Sequence, residues 1–410
     1  MRILFLCDLN SIHSRKWITF FIKRRHEVFI YSTTPFDGQV DGAEVYSDHP
    51  VIHDASYWKR SMLSAVIKLP MNQAVVSLAE RIFLTNKIRQ LRSETSRHAA
   101  RVSGIIASIK PDIVHALRIP NEGFIGALTK LNSPLAISTW GNDLTYWGQM
   151  SDFRELTIRT LKSADFLFTD CNRDLELGYE FGFPREKPHL VVPGAGGMFR
   201  KNLDDGAASL KSRTGFFEET LRISGAPVIL SLRGFGSQDI DNIPLIHACK
   251  ILASRNANFH LVIAGKKNGL RFHKLSRLIR RFKLDNRIIL IDELPHEKAL
   301  EALKGADFSV SVSRNDGTPN SMLEAMTFGS IPIMSNIDSI REWVTDGSNG
   351  YLFNPLNAES IAATIEKAIL EKDRHQEIRK KNFSIVTERA DYDKNMSNAE
   401  QKLMSLLGTR

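Results

Sequence analysis

The chain has 410 residues, 42% hydrophobic and 25% charged, which suits a soluble globular protein of two ordinary domains. The formal net charge of +9 is unevenly spread. Nine Lys or Arg face two acids from Tyr57 to Arg101, and seven face Asp285 alone from Arg271 to Arg287.

Such basic segments suit nucleic acid, anionic lipid or an anionic substrate. Cys7, Cys171 and Cys249 are far apart and lie in or beside apolar runs, so buried free thiols in a reducing compartment are expected. No apolar run approaches the ~20 residues of a membrane span. The opening MRILFLCD is too short and too soon acidic for a signal peptide. A cytoplasmic protein is expected.

The predicted elements alternate. Arg2 to Asp8 is a short apolar run closed by a polar turn, a buried strand. Ser11 to Arg24 is helical, with Trp17, Phe20 and Phe21 at helical spacing. Val28 to Ser32 and Ala43 to Ser47 are further strands. Asn10, Ser11 and His13 follow the first strand, in a loop that faces the ligand crevice of an open α/β sheet. For His13, a solvent-facing helix start is the other reading. Tyr57 to Ile109 reads as long and helical, broken or begun at Pro70. Its stripe of Val75, Leu78, Ala79, Ile82 and Phe83 is set among Arg81, Lys87, Arg89 and Arg92. It is either an amphipathic basic helix on an anionic bilayer or a packed helix with a solvated basic face.

Asp112 to Leu117 is a strand, Glu122 to Leu131 a helix, and Leu135 to Thr139 a strand that runs into Trp140-Gly141-Asn142-Asp143. Phe166 to Asp170, Asn172 to Phe181 and His189 to Val192 continue as strand, helix and strand. This is a doubly wound parallel sheet. After Pro193 to Gly197, the polar and mixed run Lys201 to Leu221 is the expected passage between domains. A second alternation follows: strand Val228 to Leu232, helix Ile243 to Ser254, strand His260 to Ala264, helix Phe272 to Phe282, strand Ile288 to Ile291 and helix Glu297 to Leu303. Ala358 to Leu370 and Asp391 to Leu407 are terminal helices.

The stretch FSVSVSRNDGTPNSMLEAM, Phe308 to Met326, organises the chain. Phe308, Val310 and Val312 alternate with small residues as a strand does. A polar loop with Gly317 and Pro319 follows. Asn320 and Ser321 suit the N-cap of a helix over Met322 to Phe328. A strand, a loop and a helix N-terminus make an anion site from free backbone N–H groups and the helix dipole. Asp316 and Glu324 inside it suit hydroxyls rather than phosphate. Phosphate and hydroxyls together point to a sugar nucleotide.

Asp316 and Glu324 stand eight positions apart, and Glu324-Ala325-Met326 is followed by Gly329, Pro332 and Ile333. This block resembles the E-x7-E signature of retaining glycosyltransferases of family 4, with Asp316 where that family usually has Glu. The continuation SNIDSIREWVTDGSNGYLFNP is similar to the family's usual sequel, and His26-Glu27-Val28 to its G-H-E-V strand start, with Arg25 in place of Gly. The resemblance implies an α/β, GT-B-like fold: two doubly wound, parallel-sheet, Rossmann-like domains facing across a cleft. Residues 1–200 would form the acceptor-side domain and 222–385 the nucleotide-sugar donor domain, with 386–410 a terminal helix crossing back.

The resemblance also implies roles. Trp140 to Asp143 resembles the loop, H-G-x-D or W-G-x-D, that borders the acceptor side. With Trp140 in place of His, that His's catalytic role does not carry over. Asp143 either binds an acceptor hydroxyl or caps the next turn. Arg233 matches an Arg that neutralises the donor diphosphate. The accompanying Lys is missing, its region holding Asp241 and Asn242, and Lys266 is either the substitute or a solvated loop residue. Asp316 and Arg233 are thus the expected catalytic residues. Glu324, Gly317, Thr318, Asn320, Ser321, Leu323 and Lys266 are expected to bind the donor, and His13, Asn10, Asp143 and Trp140 to lie on the acceptor side. Neither metal nor other cofactor is expected.

The implied function is transfer of a sugar, with retention, from a nucleoside-diphosphate sugar to a glycan or lipid-linked acceptor in cell-surface polysaccharide or lipopolysaccharide biosynthesis. The expected partners are that donor and acceptor and an anionic membrane surface on the inner face of the plasma membrane, with no nucleic acid. A sugar-nucleotide epimerase of the related fold, or a non-catalytic assembly partner, are the alternatives.

Overall fold

A computed structural model describes residues 1–47, 94–209, 215–237 and 239–408. The basic stretch expected to be helical lies outside these residues from its start to position 93; residues 94–109 are helical.

The chain divides into two compact units, Met1–Ala195 with Met396–Arg410, and Gly196–Asn395. The first holds seven strands: β1 (Arg2–Cys7), β2 (Glu27–Ser32), β3 (Ala43–Ser47), β4 (Ile113–Ala116), β5 (Leu135–Ser138), β6 (Phe166–Thr169) and β7 (His189–Val191). They lie in the order β3-β2-β1-β4-β5-β6-β7, and every pairing is parallel. The second unit holds β8 (Val228–Ser231), β9 (His260–Ala264), β10 (Ile288–Ile291), β11 (Phe308–Ser311), β12 (Ile331–Ser335) and β13 (Tyr351–Phe353). Their order is β10-β9-β8-β11-β12-β13, again all parallel. In both sheets the winding reverses between two central neighbours, β1 and β4 in one, β8 and β11 in the other. Loops at the carboxyl ends of such neighbours part there and leave a ligand crevice.

The strand residues account for the layering. Phe308, Val310 and Val312 join one buried cluster with Ile229, Ile263 and Ile333. The period of two turns Ser309, Ser311 and Ser313, all buried, to the other face. There the helix Asn320–Phe328 contributes Met322, Leu323, Ala325, Met326 and Phe328 to a second cluster. Small side chains under that helix let it approach the sheet closely. Each fully buried Leu, Phe or Met stabilises the fold by roughly 1.5–3 kcal/mol relative to an exposed one.

Three local expectations change. The described residues of the run 201–221 are not a passage. Helices Arg200–Ser209 and Phe216–Leu221 belong to the second unit, with Leu203, Phe216 and Phe217 in its core. The polar positions that obscured them are their outer faces. The helix expected over Glu122 to Leu131 is only Phe124–Leu128. Before it, Ile119–Gly123 forms an irregular turn, because Pro120 has an extended ψ of 129° and Asn121 a φ of 76°. The helix of the organising stretch begins at Asn320, and its N-cap is Pro319 without a side-chain cap bond. Asn320 and Ser321 therefore occupy its first turn rather than capping it.

Arg25 stands where the resembled family has Gly, and its backbone shows why Gly is used there. The helix Ile12–Lys23 ends with Arg25 N–H bonded to Ile22 C=O at 2.9 Å and His26 N–H to Phe21 C=O at 3.1 Å. That paired closure requires a left-handed residue, and Arg25 has φ of 60°. Its side chain is exposed, so little packing offsets the strain. Arg25→Gly should raise stability by about 0.5–1 kcal/mol, read as a higher urea midpoint with unchanged slope. A lower midpoint would show that the Arg25 side chain matters more than its backbone.

Candidate active site

In the second unit the reversal of winding sets the ends of β8 and β11 side by side. Arg233 leaves β8 and Asp316 follows β11, 83 residues apart in sequence, and the Arg233 Nη2 donates to Asp316 Oδ2 at 2.6 Å. Asp316 is further held: Ser313 Oγ donates to the same oxygen at 3.2 Å, and Ser311 and Ser313 hydroxyls are 2.9 Å apart. The buried Ser311, which ends β11, and Ser313 beyond it thus form a polar chain running to the carboxylate. Ser339 Oγ donates to the Asp316 carbonyl at 2.7 Å. A charge held by such bonds needs little reorganisation when a ligand arrives.

The loop after β8 is folded back onto β11. Gly265, directly after β9, packs so close to Gly234 and Phe235 that a Cβ there would meet the Gly234 Cα at 2.8 Å. Asn242 Nδ2 donates to the Gly234 carbonyl at 2.8 Å. Ser237 Oγ accepts from the N–H groups of Asp239 and Ile240, and Ile240 bridges Ser313 in antiparallel fashion.

The remaining donor-side residues divide. Glu324 Oε1 lies 2.9 Å from His296 Nε2, with His296 exposed and Glu324 mostly shielded. His296 was not singled out in the sequence; it starts the helix His296–Gly305 after β10, and no motif marks it. Thr318 is buried, its Oγ1 accepting from Trp343 Nε1 at 3.2 Å. Leu323 is in the core, and its N–H bonds to the Pro319 carbonyl at 3.2 Å. Its amide is therefore already satisfied. Gly317 is buried beside Asp316, and Asn320 and Ser321 are half-buried in the first helical turn. Lys266 is exposed and pairs with Glu293 at 3.5 Å, beyond the end of β10.

In the first unit the corresponding strand ends also carry polar groups. His13 and Trp140 come together, their rings 5.8 Å apart and edge to face. Asn10 Nδ2 donates to Thr34 Oγ1 and to the Pro35 carbonyl, both at 3.1 Å. Asp143 is buried and fully employed. Its Oδ1 accepts from Arg118 Nε at 2.8 Å, its Oδ2 from the N–H groups of Ile119 and Trp140 at 3.1 Å. These bonds tie the β4 and β5 loops together; the turn that follows has Asn142 at its N-cap, with no side-chain cap bond. Burial raises its pKa, against the charge of Arg118.

Arg118 and Glu122 were not anticipated; both follow β4, at the reversal of winding, and that position was the available signal. Glu122 is buried, with Thr33 Oγ1 donating to its Oε1 at 2.6 Å and, among the described residues, no partner on Oε2. Burial pushes its carboxyl up to about 7, against the Thr33 hydrogen bond and the charge of Arg118. Among the described residues no group of three or more His, Cys, Asp or Glu could hold a metal ion.

Residues 218–384 match the family model of glycosyl transferases group 1, and residues 72–170 that of glycosyl transferase 4-like proteins. Among curated proteins, the GDP-mannose:cellobiosyl-diphosphopolyprenol alpha-mannosyltransferase of Xanthomonas oryzae pv. oryzae (strain PXO99A) is 25% identical over 153 residues, 37% of this chain and 40% of that one. The protein of the same name from Komagataeibacter xylinus is 26% identical over 129 residues, 30% of this chain and 33% of that one. The match thus spans about two fifths or less of these relatives' length. Among solved structures, a glycosyltransferase from Rickettsia africae ESF-5 superposes with TM-score 0.68 at 16% identity, covering 99% of this chain and 98% of that one. Anabaena Alr3699/HepE in complex with UDP gives TM-score 0.70 at 15% identity, covering 99% and 100%. The fold is GT-B, as the organising stretch implied.

The Glu122 environment sets a sign for pH dependence. Its folded pKa of about 7 lies above the ordinary 4.5, so its stabilising contribution is full below 4.5 and lost as pH rises through 7. Glu122→Gln should therefore gain about 1–3 kcal/mol over the wild type at pH 8, the advantage shrinking as pH falls toward 5. Parallel stability–pH curves from chemical denaturation would show that another group titrates there.

Proposed function

We propose that this chain, a glycosyl transferase of group 1 through its C-terminal unit and 4-like through its N-terminal one, moves a sugar from a nucleoside-diphosphate sugar to a glycan or lipid-linked acceptor. The observation that carries the reading is the Arg233–Asp316 pair at the β8/β11 reversal, beside the start of the helix Asn320–Phe328. The guanidinium suits a diphosphate, the helix start suits its oxygens, and the two carboxylates suit hydroxyls. Asp316 would meet the transferred sugar and Glu324 the ribose. Gly317, Thr318, Asn320 and Ser321 line the same turn. Retention of configuration and a role in cell-surface polysaccharide or lipopolysaccharide assembly belong to the same proposal. The named activity of the curated relatives, mannosyl transfer from GDP-mannose to a diphosphopolyprenol-linked acceptor, supports the lipid-linked alternative.

As the glycosidic bond breaks, the departing diphosphate gains negative charge. Arg233 and the first-turn amides would stabilise it more in the transition state than before it, which is what raises a rate. No metal takes part in this scheme. On the first unit, His13, Asn10 and Trp140 would border the acceptor. Residues 57–101 would rest on anionic lipid at the inner face of the plasma membrane, each basic residue near the surface contributing about 1 kcal/mol. Among the described residues no helix is long and apolar enough to cross a membrane.

Three experiments check this. Calorimetric titration of UDP and GDP should show binding of at least one, weakened tenfold or more by Glu324→Gln, since a hydrogen bond to a charged group contributes roughly 1.5–3 kcal/mol. Unchanged affinity with a lowered melting temperature would make Glu324 a helix-dipole carboxylate instead. Asp316→Asn should reduce turnover more than it weakens binding of the bare diphosphate. Separately, flotation with vesicles should show retention on anionic but not neutral lipid, fading with salt; equal partitioning onto both would refute the membrane contact.

A further inference from the structure

Among the cations near the carboxyl ends of the central strands in the second unit are Arg233 after β8, Lys266 after β9 and Arg314 after β11. Their partners separate them. Lys266 pairs with Glu293, which follows β10, so its contact lies toward the sheet edge. Arg314 Nη2 donates to Asp241 Oδ2 at 2.8 Å, and Asp241 is in the loop that begins with Arg233. The contact of Arg314 is therefore at the reversal of winding itself.

The backbone fixes that arrangement. Asp241 N–H bonds to the Val312 carbonyl at 3.1 Å, and Arg314 N–H to the Asp239 carbonyl at 2.7 Å. The β8 loop and the β11 loop are thus stitched as a short antiparallel ladder through Ile240 and Ser313. A tight turn at Gly236, with φ of 127°, lets the β8 loop double back to reach it. Arg314 is anchored two residues before Asp316, and Asp316 is the partner of Arg233. The ladder leaves the Arg314 side chain half exposed, at 51%.

The two guanidiniums are engaged in the same way. Each gives one nitrogen, Nη2, to one carboxylate, and neither makes another hydrogen bond among the described residues. A guanidinium carries five N–H donors in a planar fork that fits phosphate oxygens in pairs. Asp316 and Asp241 hold the two forks while leaving most donors available. A diphosphate has two phosphoryl groups to neutralise and gains charge on leaving, which a single guanidinium meets only in part.

We infer that Arg314 is a second cation for the donor diphosphate, working beside Arg233 from the neighbouring strand end, and that Lys266 is not. The inference rests on the donor reading above, and it makes Arg314 a residue that touches substrate and Asp241 its positioning residue.

The test is calorimetric titration of UDP, GDP and the corresponding monophosphates into wild type, Arg314→Gln, Arg314→Lys, Asp241→Asn and Lys266→Gln. Arg314→Gln should weaken diphosphate binding tenfold or more, and weaken it more than monophosphate binding. Arg314→Lys should recover part of the loss, as a point charge without the fork. Lys266→Gln should bind like wild type. Asp241→Asn should change diphosphate affinity less than Arg314→Gln does. Melting temperatures should stay close to wild type, because exposed ion pairs contribute little to stability. Wild-type diphosphate binding with equal affinity in Arg314→Gln would overturn the inference and leave the donor reading standing. So would equal loss for mono- and diphosphate, or a loss in Lys266→Gln matching that in Arg314→Gln. A wild type that binds neither UDP nor GDP would instead overturn the donor reading.

Discussion

The ion pair between Arg233 and Asp316 depends on one topological constraint, and the site depends on the pair. β8 and β11 are neighbours in the sheet but 83 residues apart between their paired side chains. Because winding reverses between them, their following loops diverge, and the space at their ends is left for side chains and ligand. Ser311 and Ser313 turn this into a fixed geometry. They face the layer of the helix Asn320–Phe328, and their hydroxyls lead to Asp316. A larger apolar residue at Ser311 or Ser313 would keep the strand and lose the chain of hydrogen bonds.

The two units solve the same topological problem differently. In the second, the carboxylate at the reversal remains partly accessible and its guanidinium keeps donors in reserve. In the first, Asp143 is buried, accepts three hydrogen bonds, and ties two loops together. Arg118, its partner, also donates from Nη2 to Asn142 Oδ1 at 3.1 Å. Glu122 lies in a setting dry enough to push its carboxyl up to about 7. Charges committed to holding loops in shape have little left for a ligand.

Departures from the resembled family become physically intelligible in this light. Asp316 is one methylene shorter than Glu, and it is reached by the Arg233 Nη2 at hydrogen-bond distance. Where the expected Lys is absent, Asp241 stands instead, and it engages Arg314 from the adjacent loop. Arg25 adopts the left-handed backbone that Gly would adopt freely. None of these changes alters the fold, because each sits at a strand or helix end where the core is not involved.

Much of the molecule was legible in the residues alone. Alternation of apolar runs with helical patterns placed eleven of the thirteen strands of the described residues close to their observed bounds, β12 and β13 excepted, and pointed to two doubly wound sheets. The spacing of Asp316 and Glu324 marked the candidate site, since strand, loop and helix are local and their chemistry is written in consecutive residues. What the sequence did not supply was pairing. Nothing in RGFGSQDIDN indicates that Asp241 pairs with Arg314, or that Asp143 is engaged by Arg118 rather than open. Nor does a polar-looking run such as 201–209 reveal the apolar face that Leu203 buries. Those facts depend on which strand ends become neighbours and which helix face meets the sheet. Such neighbours are set by long-range packing of the two cores, whose contacts join residues that no local pattern relates, so only the tertiary structure decided them.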